Sequence, residues 1–364
     1  MRTAIERRAV RIGPAMRRIA APLAAALLLA GAAAPARADA VADFYKGKQV
    51  QIVVGYGTGG GYDVYARVIS RHFAKHLPGA PTMVVQNMPG AGSLRAANHL
   101  YVTAPKDGTT FGTFARNMPL LGVLGGNKNV QFDPRKFTWL GSPSSAQDDA
   151  YMLFVRKDSK VNTIEKARDA KGEPIVIGGT AEGATGNDIA FLIRDTVGLN
   201  LKLIPGYPDG GALFIAIERS ELDGRFVGLS AVASNKPEWL RPDGVVFPML
   251  QFARRTRHPD YPNVPTAREL AKDAQARQLI ELAEIPYMLS RPYAAPPGLP
   301  ADRAAALQKA LLGTTTDKEF LADAAKLGLD VSPVGPEEAM DMLNLLAEAP
   351  ESLKEQLRKL QSGG

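Results

Sequence analysis

Five glycines within seven positions separate a predicted strand from a predicted helix near the start of this chain. The preceding residues, 50–54, are mostly apolar and β-branched, which favours a buried strand. The residues that follow carry apolar side chains every four positions from Tyr65 to Leu77, which predicts an amphipathic helix. The first N–H groups of a helix lack partners within it, and the helix dipole favours negative charge there. Because glycine has no Cβ, a ligand can approach this backbone closely, and we predict a pocket for a small anion beside Gly57–Tyr62.

The same glycines also fit a dinucleotide-binding pattern. Gly55, Gly57 and Gly60 match G-x-G-x-x-G after a strand. That pattern requires an acidic residue at the end of the next strand to bind a ribose, and the strand predicted at Thr82–Gln86 is followed by Asn87 instead. A small-anion site is therefore favoured, with a dinucleotide site and a purely structural turn as the alternatives.

The first 38 residues have the organisation of a secretory signal peptide. An arginine-rich start is followed by an apolar run at 20–34 and by small residues that allow cleavage after Ala38 or Ala40. The apolar run is shorter than the roughly 20 residues that a membrane span needs, so an anchoring helix is the less favoured alternative. Seven arginines and one glutamate in this leader account for six of the seven net positive charges. The mature chain is therefore nearly neutral, and we expect an exported protein without a nucleic-acid partner.

Strands and helices alternate after the leader, which predicts parallel α/β sheets with ligands at the carboxyl ends of their strands. Arg116 follows the strand predicted at Thr110–Phe114 and would pair with a ligand carboxylate through its forked guanidinium, although a surface arginine is an equal alternative. The pattern loosens between residues 127 and 145, where we place a crossing between domains. We expect a first lobe at 39–145, a second lobe at 146–254, and a return to the first lobe with C-terminal helices at 255–364.

A second strand–glycine–helix unit lies in the other half of the chain. The strand predicted at Pro174–Ile177 runs into a glycine-rich turn at 178–186, which carries hydroxyls at Thr180 and Thr185. One helix start that binds an anion is common, but two in separate α/β lobes indicate a cleft that closes on a ligand. An ordinary capped loop is the alternative interpretation.

The residues at the glycine turns suit binding better than catalysis. The chain has no cysteine, which excludes disulfides and thiol chemistry. It contains no G-x-S-x-G motif, and no pair of carboxylates stands at the glycine turns. His72 and His76 share a predicted helix face, but without an H-E-x-x-H pattern we expect them on the solvated surface. We therefore expect no catalytic residue, no metal and no cofactor.

Five segments of the chain resemble, in order, the motifs of the extracytoplasmic receptors of tripartite tricarboxylate transporters, also called Bug proteins. They are VGYGTGGGYDVYAR at 54–67, VVQNMPGAG at 84–92, APKDGTT at 104–110, PNVPT at 262–266 and APPGLP at 295–300. Five matches in order are more specific than any single glycine motif. The sequence departs from the family pattern in the first loop, where Gly55 and Gly57 replace the usual prolines.

The resemblance implies a two-lobed, type II periplasmic binding protein of the α/β class, with mixed or parallel sheets flanked by helices. It implies a monomer that captures a small organic carboxylate in the cleft and passes it to a two-component membrane permease. An exported α/β enzyme acting on a carboxylate and a receptor for a membrane sensor are the alternatives. Tyr56 and Tyr207 would stack on an aromatic acid or pack at the rim. The expected ligand-binding residues are Tyr56, Gly57, Thr58, Gly59, Gly60, Ala115, Arg116, Asn117, Gly179, Thr180, Ala181, Gly183, Ala184, Thr185 and Tyr207.

Overall fold

Two five-stranded sheets organise the chain. The structure is a computed structural model that describes residues 40–145, 150–180 and 183–361. Its strands are β1 (Gln49–Val54), β2 (Thr82–Asn87), β3 (Thr110–Thr113), β4 (Thr138–Gly141), β5 (Tyr151–Arg156), β6 (Ile175–Gly178), β7 (Leu201–Ile204), β8 (Gly224–Gly228), β9 (Val246–Phe252) and β10 (Tyr293–Ala295). The first sheet has the order β2-β1-β3-β10-β4 and the second the order β7-β6-β8-β5-β9.

Helices cover both sheets. They are α1 (residues 40–45), α2 (Gly61–Phe73), α3 (Leu94–Val102), α4 (Met118–Leu124), α5 (Ile164–Ala167), α6 (Thr185–Val197), α7 (Gly210–Glu218), α8 (Leu229–Asn235), α9 (Ala267–Leu270), α10 (Ala274–Glu284), α11 (Ala301–Thr315), α12 (Lys318–Lys326), α13 (Pro336–Glu348) and α14 (Glu351–Gln361). Short 3-10 helices lie at Ala74–His76, Ala91–Ser93, Pro134–Lys136, Pro237–Leu240 and Ile285–Met288. No helix of the described residues is long and apolar enough to cross a bilayer.

In the first sheet, β1 pairs in parallel with β2 and β3, whereas β10 pairs antiparallel with β3 and β4. The side chains of Val50, Ile52, Val53 and Val54 are fully buried, as expected for a parallel strand that is covered on both faces. The carboxyl ends of β1, β2 and β3 therefore meet at one edge, where the first two glycine turns begin.

In the second sheet, β6 pairs in parallel with β7 and β8, and β5 pairs antiparallel with β8 and β9. The predicted fold class, two α/β lobes with mixed sheets and flanking helices, is confirmed. The signal peptide expected at 1–38 lies outside the described residues.

The last third of the chain is shared between the two lobes. Leu279 and Ile280 of α10, together with Leu357 of α14, pack into the core of the second lobe. Leu307 of α11 and Phe320 of α12 pack into the core of the first. The sequence-based boundaries at residues 145 and 254 stay predictions.

Candidate functional site

A cavity of about 890 Å³ lies between the lobes. This volume is near the upper end of the roughly 300–1,000 Å³ that small-molecule sites occupy. The first lobe contributes residues 55–62 and 89–93 to its wall, and the second contributes 178–180, 184–187 and 206–213. The glycine turns of the two strand–glycine–helix units therefore face one shared space.

The first glycine loop is tied down by Asp63. One carboxylate oxygen, Oδ2, accepts the N–H of Gly59 and the Nε–H of Arg67, both at 2.9 Å. Asn87 donates to the other oxygen at 2.9 Å and to the carbonyl of Tyr56 at 2.9 Å. Burial raises the pKa of the Asp63 carboxyl, but the hydrogen bonds outweigh burial and hold the pKa below its ordinary value. Because Asp63 is occupied by the loop and no side chain caps α2, the helix start is left open toward the cavity.

Ser93 joins the first loop to the end of β3. Its Oγ accepts the N–H of Ala115 at 3.0 Å. A Cβ added at Gly55 would lie 1.8 Å from this same Oγ, so the first loop needs glycine there. The backbone of Ala115 is used in this contact, and Ala115 is not part of the cavity wall.

Asn117 joins the two lobes beside the cavity. Its Nδ2 donates to the carbonyl of Gly183 at 2.9 Å and to Oδ2 of Asp188 at 2.6 Å. Its Oδ1 accepts the hydroxyl of Thr185 at 3.3 Å. A Cβ at Gly92 would lie 2.7 Å from the carbonyl carbon of Gly183, so the backbones also meet here.

Arg116 presents a buried positive charge to the cavity from the first lobe. It is 4% exposed, and its guanidinium carbon lies 5.2 Å from the ring centres of Tyr151 and Tyr287 and 5.9 Å from that of Tyr62. Its Nε donates to the Tyr62 hydroxyl at 3.3 Å. Burial lowers the pKa of Arg116, but the three tyrosine hydroxyls outweigh it and raise the pKa overall. Within the described residues Arg116 forms no salt bridge with a carboxylate, so its charge is available to an anion.

The second-lobe turns are held together through their backbones. The N–H of Gly206 donates to the carbonyl of Thr180 at 2.9 Å, and the N–H of Tyr207 to that of Gly179 at 3.2 Å. A Cβ at Gly179 would lie 2.1 Å from Oδ1 of Asn187. Helix α6 begins after Ala184 without a side-chain cap, so its first N–H groups also face the cavity.

Most predicted site residues lie in the cavity wall: Tyr56, Gly57, Thr58, Gly59, Gly60, Arg116, Gly179, Thr180, Ala184, Thr185 and Tyr207. Ala115, Asn117 and Gly183 lie outside the wall. Ala115 hydrogen-bonds Ser93 at the end of β3, and Asn117 hydrogen-bonds Gly183 across the two lobes. Ala181 lies outside the described residues.

Two arginines in the wall were not predicted. Arg291 is 2% exposed and donates to the hydroxyls of Ser144 at 3.0 Å and Ser230 at 2.7 Å. Arg225 is 8% exposed and donates to the carbonyl of Gly210 at 2.7 Å. The signal for Arg225 was a charge that interrupts an apolar strand pattern, and we find no local signal for Arg291.

The expected solvated position of His72 is wrong. His72 is 8% exposed, and its Nε2 lies 3.0 Å from a carboxylate oxygen of Asp323 on α12. His72, Asp317 and Glu319 stand close enough together to hold a metal ion. However, the ammonium of Lys75 lies 2.8 Å from oxygens of both carboxylates, so the chain supplies its own cation at this place.

Comparison with known proteins identifies the fold. No family model matches the chain. It is 34% identical over 143 residues to "UPF0065 protein in gbd 5'region" from Cupriavidus necator, a match that covers 39% of this chain and 41% of that relative. The chain therefore spans about two fifths of the length of the curated relative.

Solved structures match over 84–87% of this chain. The periplasmic binding protein BugD has a TM-score of 0.66 at 20% identity, covering 87% of this chain and 98% of BugD. MatC from Rhodopseudomonas palustris, solved with bound malate, has a TM-score of 0.63 at 21% identity, covering 84% of this chain and 99% of MatC. A second R. palustris protein, solved with adipate, has a TM-score of 0.65 at 19% identity, covering 86% of this chain and 97% of that protein.

The chain has the fold of the Bug periplasmic binding proteins. The resemblance inferred from the five sequence segments is thus confirmed at the level of fold. In this Bug fold the cavity described above is the cleft between the lobes. The chain passes from the first sheet to the second between β4 and β5, and returns to the first between β9 and β10.

Proposed function

We propose that this protein is an exported receptor that binds a small organic carboxylate in the cleft between its lobes. The observation that carries this proposal is the convergence of two uncapped helix starts, α2 and α6, on one cavity. Each offers backbone N–H groups and the positive end of a helix dipole to an anion. Because the two helices belong to different lobes, one bound carboxylate would hold the lobes together.

The charged side chains in the wall support an anionic ligand. Among the residues that the structure describes, Arg116, Arg225 and Arg291 line the cavity together with one carboxylate residue, Asp209. Asp209 accepts the N–H of Ala212 at 2.9 Å as the cap of α7. A cleft of this charge concentrates anions near its mouth and speeds their capture.

The similar structures also support a carboxylate receptor. MatC was solved with malate, and the second R. palustris protein with adipate. BugD is described as a periplasmic binding protein, which favours capture over catalysis. An enzyme acting on a carboxylate is the second candidate, and the cavity groups among the described residues supply it with no evident proton shuttle.

We further propose that the chain is cleaved near Ala38 or Ala40, acts as a monomer in the periplasm, and delivers its ligand to a two-component permease. The leader pattern and the similarity to periplasmic binding proteins support this location. Delivery to a membrane sensor is the alternative, and direct binding of the liganded receptor to either membrane protein separates the two.

A thermal-shift screen of the mature chain tests the proposal. The ligands are mono-, di- and tricarboxylates and aromatic acids, with the matching amides as uncharged controls. A ligand present at a hundred times its Kd stabilises the folded state by about 2.7 kcal/mol, which is easily measured. We expect at least one acid, and none of the amides, to raise Tm. A screen in which no acid raises Tm contradicts the receptor, and a product detected by mass spectrometry supports the enzyme instead.

A further inference from the structure

Arg225 is a buried charge in the middle of a sheet. It lies in β8, which stands between β6 and β5, and its neighbours Phe226 and Val227 are buried apolar residues. Only 8% of Arg225 is exposed. A buried charge costs free energy unless it is paired and its donors are satisfied, so an arginine at this place needs a physical reason.

The chain satisfies this guanidinium only in part. Nη1 donates to the carbonyl of Gly210, and the group lies 4.8 Å from the ring centre of Phe214. Nε is buried and has no hydrogen-bond partner within the described residues. Burial lowers the pKa of Arg225 to about 10, and the opposing effects of the Tyr151 hydroxyl and the Asp209 carboxylate offset this only partly. Arg225 therefore stays charged at neutral pH while some of its donors lack acceptors.

The unsatisfied guanidinium belongs to the cavity wall. It lines the cavity beside the glycine-rich turn at residues 206–211. Arg116 lines the same cavity from the other lobe, and both arginines act electrostatically on the hydroxyl of Tyr151. The wall near Arg225 also includes Leu213 and Val227, which suit an apolar ligand body.

We propose that Arg225 is a specificity-determining residue that binds a second anionic group of the ligand. This inference rests on the proposed function, in which the open helix starts and Arg116 hold the first carboxylate. The planar guanidinium binds a carboxylate through two parallel hydrogen bonds, so one ligand group would satisfy several donors at once. The site then prefers a dicarboxylate over a monocarboxylate of the same length.

Matched acids test the role of Arg225 by calorimetry. The pairs are succinate and butyrate, adipate and hexanoate, and terephthalate and benzoate. The variants are Arg225→Met, which keeps most of the volume without the charge, and Arg225→Lys, which keeps the charge without the fork. For wild type we expect at least one dicarboxylate to bind 30-fold or more tighter than its monocarboxylate partner. We expect Arg225→Met to weaken binding of the dicarboxylate at least tenfold more than that of the monocarboxylate, which reduces that ratio below about threefold, and Arg225→Lys to be intermediate.

Other outcomes overturn the inference in distinguishable ways. Equal loss of both acids in Arg225→Met would show that Arg225 only supports the turn at Gly210. An unchanged ratio in Arg225→Met, or no preference for dicarboxylates in wild type, would contradict the binding of a second anionic group by Arg225. Either result would leave the proposed carboxylate receptor standing. Failure of wild type to bind every acid would overturn the proposed function as well. Unfolding of the ligand-free variants gives a second readout: a binding role predicts that Arg225→Met is as stable as wild type or more stable, because an incompletely paired buried charge is removed.

Discussion

The side-chain amide of Asn117 donates a hydrogen bond of 2.9 Å to the carbonyl of Gly183, and this contact connects one lobe to the other. It lies beside the cavity and not in its wall. The same amide reaches Asp188, and the Thr185 hydroxyl returns a bond to Asn117. The arrangement seen here therefore already has one edge of the cleft joined.

Asn117→Ala should weaken ligand binding although Asn117 is outside the cavity wall. It removes the hydrogen bonds that favour the joined lobes, so the ligand must supply that part of the free energy. We expect Kd to rise about tenfold, a change of about 1.4 kcal/mol, mostly through faster dissociation. Stopped-flow fluorescence measures this with the acid found in the screen. Asn98→Ala, which removes a bond within the first lobe, is the matched control, and equal kinetics in both variants would contradict the bridging role.

Arg116→Met should abolish most carboxylate binding without unfolding the protein. The guanidinium lies among three tyrosine rings and has no carboxylate partner in the described structure, so its removal leaves no unpaired acid behind. Hydrogen bonds to charged groups contribute about 1.5–3 kcal/mol, which corresponds to a 10- to 150-fold rise in Kd. Calorimetry on Arg116→Met and on the exposed Arg95→Met checks this. Binding that is equally strong in both would place the anion elsewhere.

Gly55→Ala should destabilise the first lobe. The new methyl would meet the Ser93 Oγ at 1.8 Å and the Ser93 Cβ at 3.0 Å. Such overpacking typically costs about 1–3 kcal/mol of the free energy of unfolding. Urea unfolding measures it, and adding Ser93→Gly should recover part of the loss, because the clash is with that side chain. A double variant no more stable than Gly55→Ala would show that the strain has another source.

Stability should depend on pH through Glu284. Burial raises the pKa of this carboxyl to about 7, against the opposing effects of Arg268 and the N–H of Ala253, while the nearby Glu281 raises it further. The folded state thus holds the proton more tightly than the unfolded chain, whose carboxyl has a pKa of 4.5. This contribution is full below about pH 4.5 and is lost as the pH rises toward 7.

Replacing Glu284 with glutamine removes that dependence. We expect the free energy of unfolding of wild type, measured relative to Glu284→Gln, to fall by about 1–3 kcal/mol between pH 4.5 and 7.5. Urea unfolding at a series of pH values checks it, with the exposed Glu221→Gln as the control. A difference that stays constant or rises over this range would mean that the acid is already ionised at low pH.

Short sequence patterns predicted the helices and strands that depend mainly on neighbouring residues. The strand before the first glycine cluster and the helix after it were predicted because apolar spacing and glycine breaks act within a few residues. By contrast, β4 and β10 were not predicted, since each has only three or four residues and depends on pairing with distant strands.

The site was predicted less completely because burial is a tertiary property. Arg116 was placed at a strand end by its position, but its tyrosine cage comes from three separate parts of the chain. His72 is buried by a helix that carries Asp323, 251 residues further on. No window of sequence contains these partners, and so the buried Arg225 and Arg291 were missed.

The close approach of Gly92 to Gly183 limits how tightly the two lobes can pack against each other. A methyl group at position 92 would lie 2.7 Å from the backbone of Gly183 and would push the two lobes apart. The φ of +59° at this position also disfavours any residue with a Cβ. The contact between the lobes at this point therefore requires glycine, and Gly92 contributes only its main chain to the cavity wall.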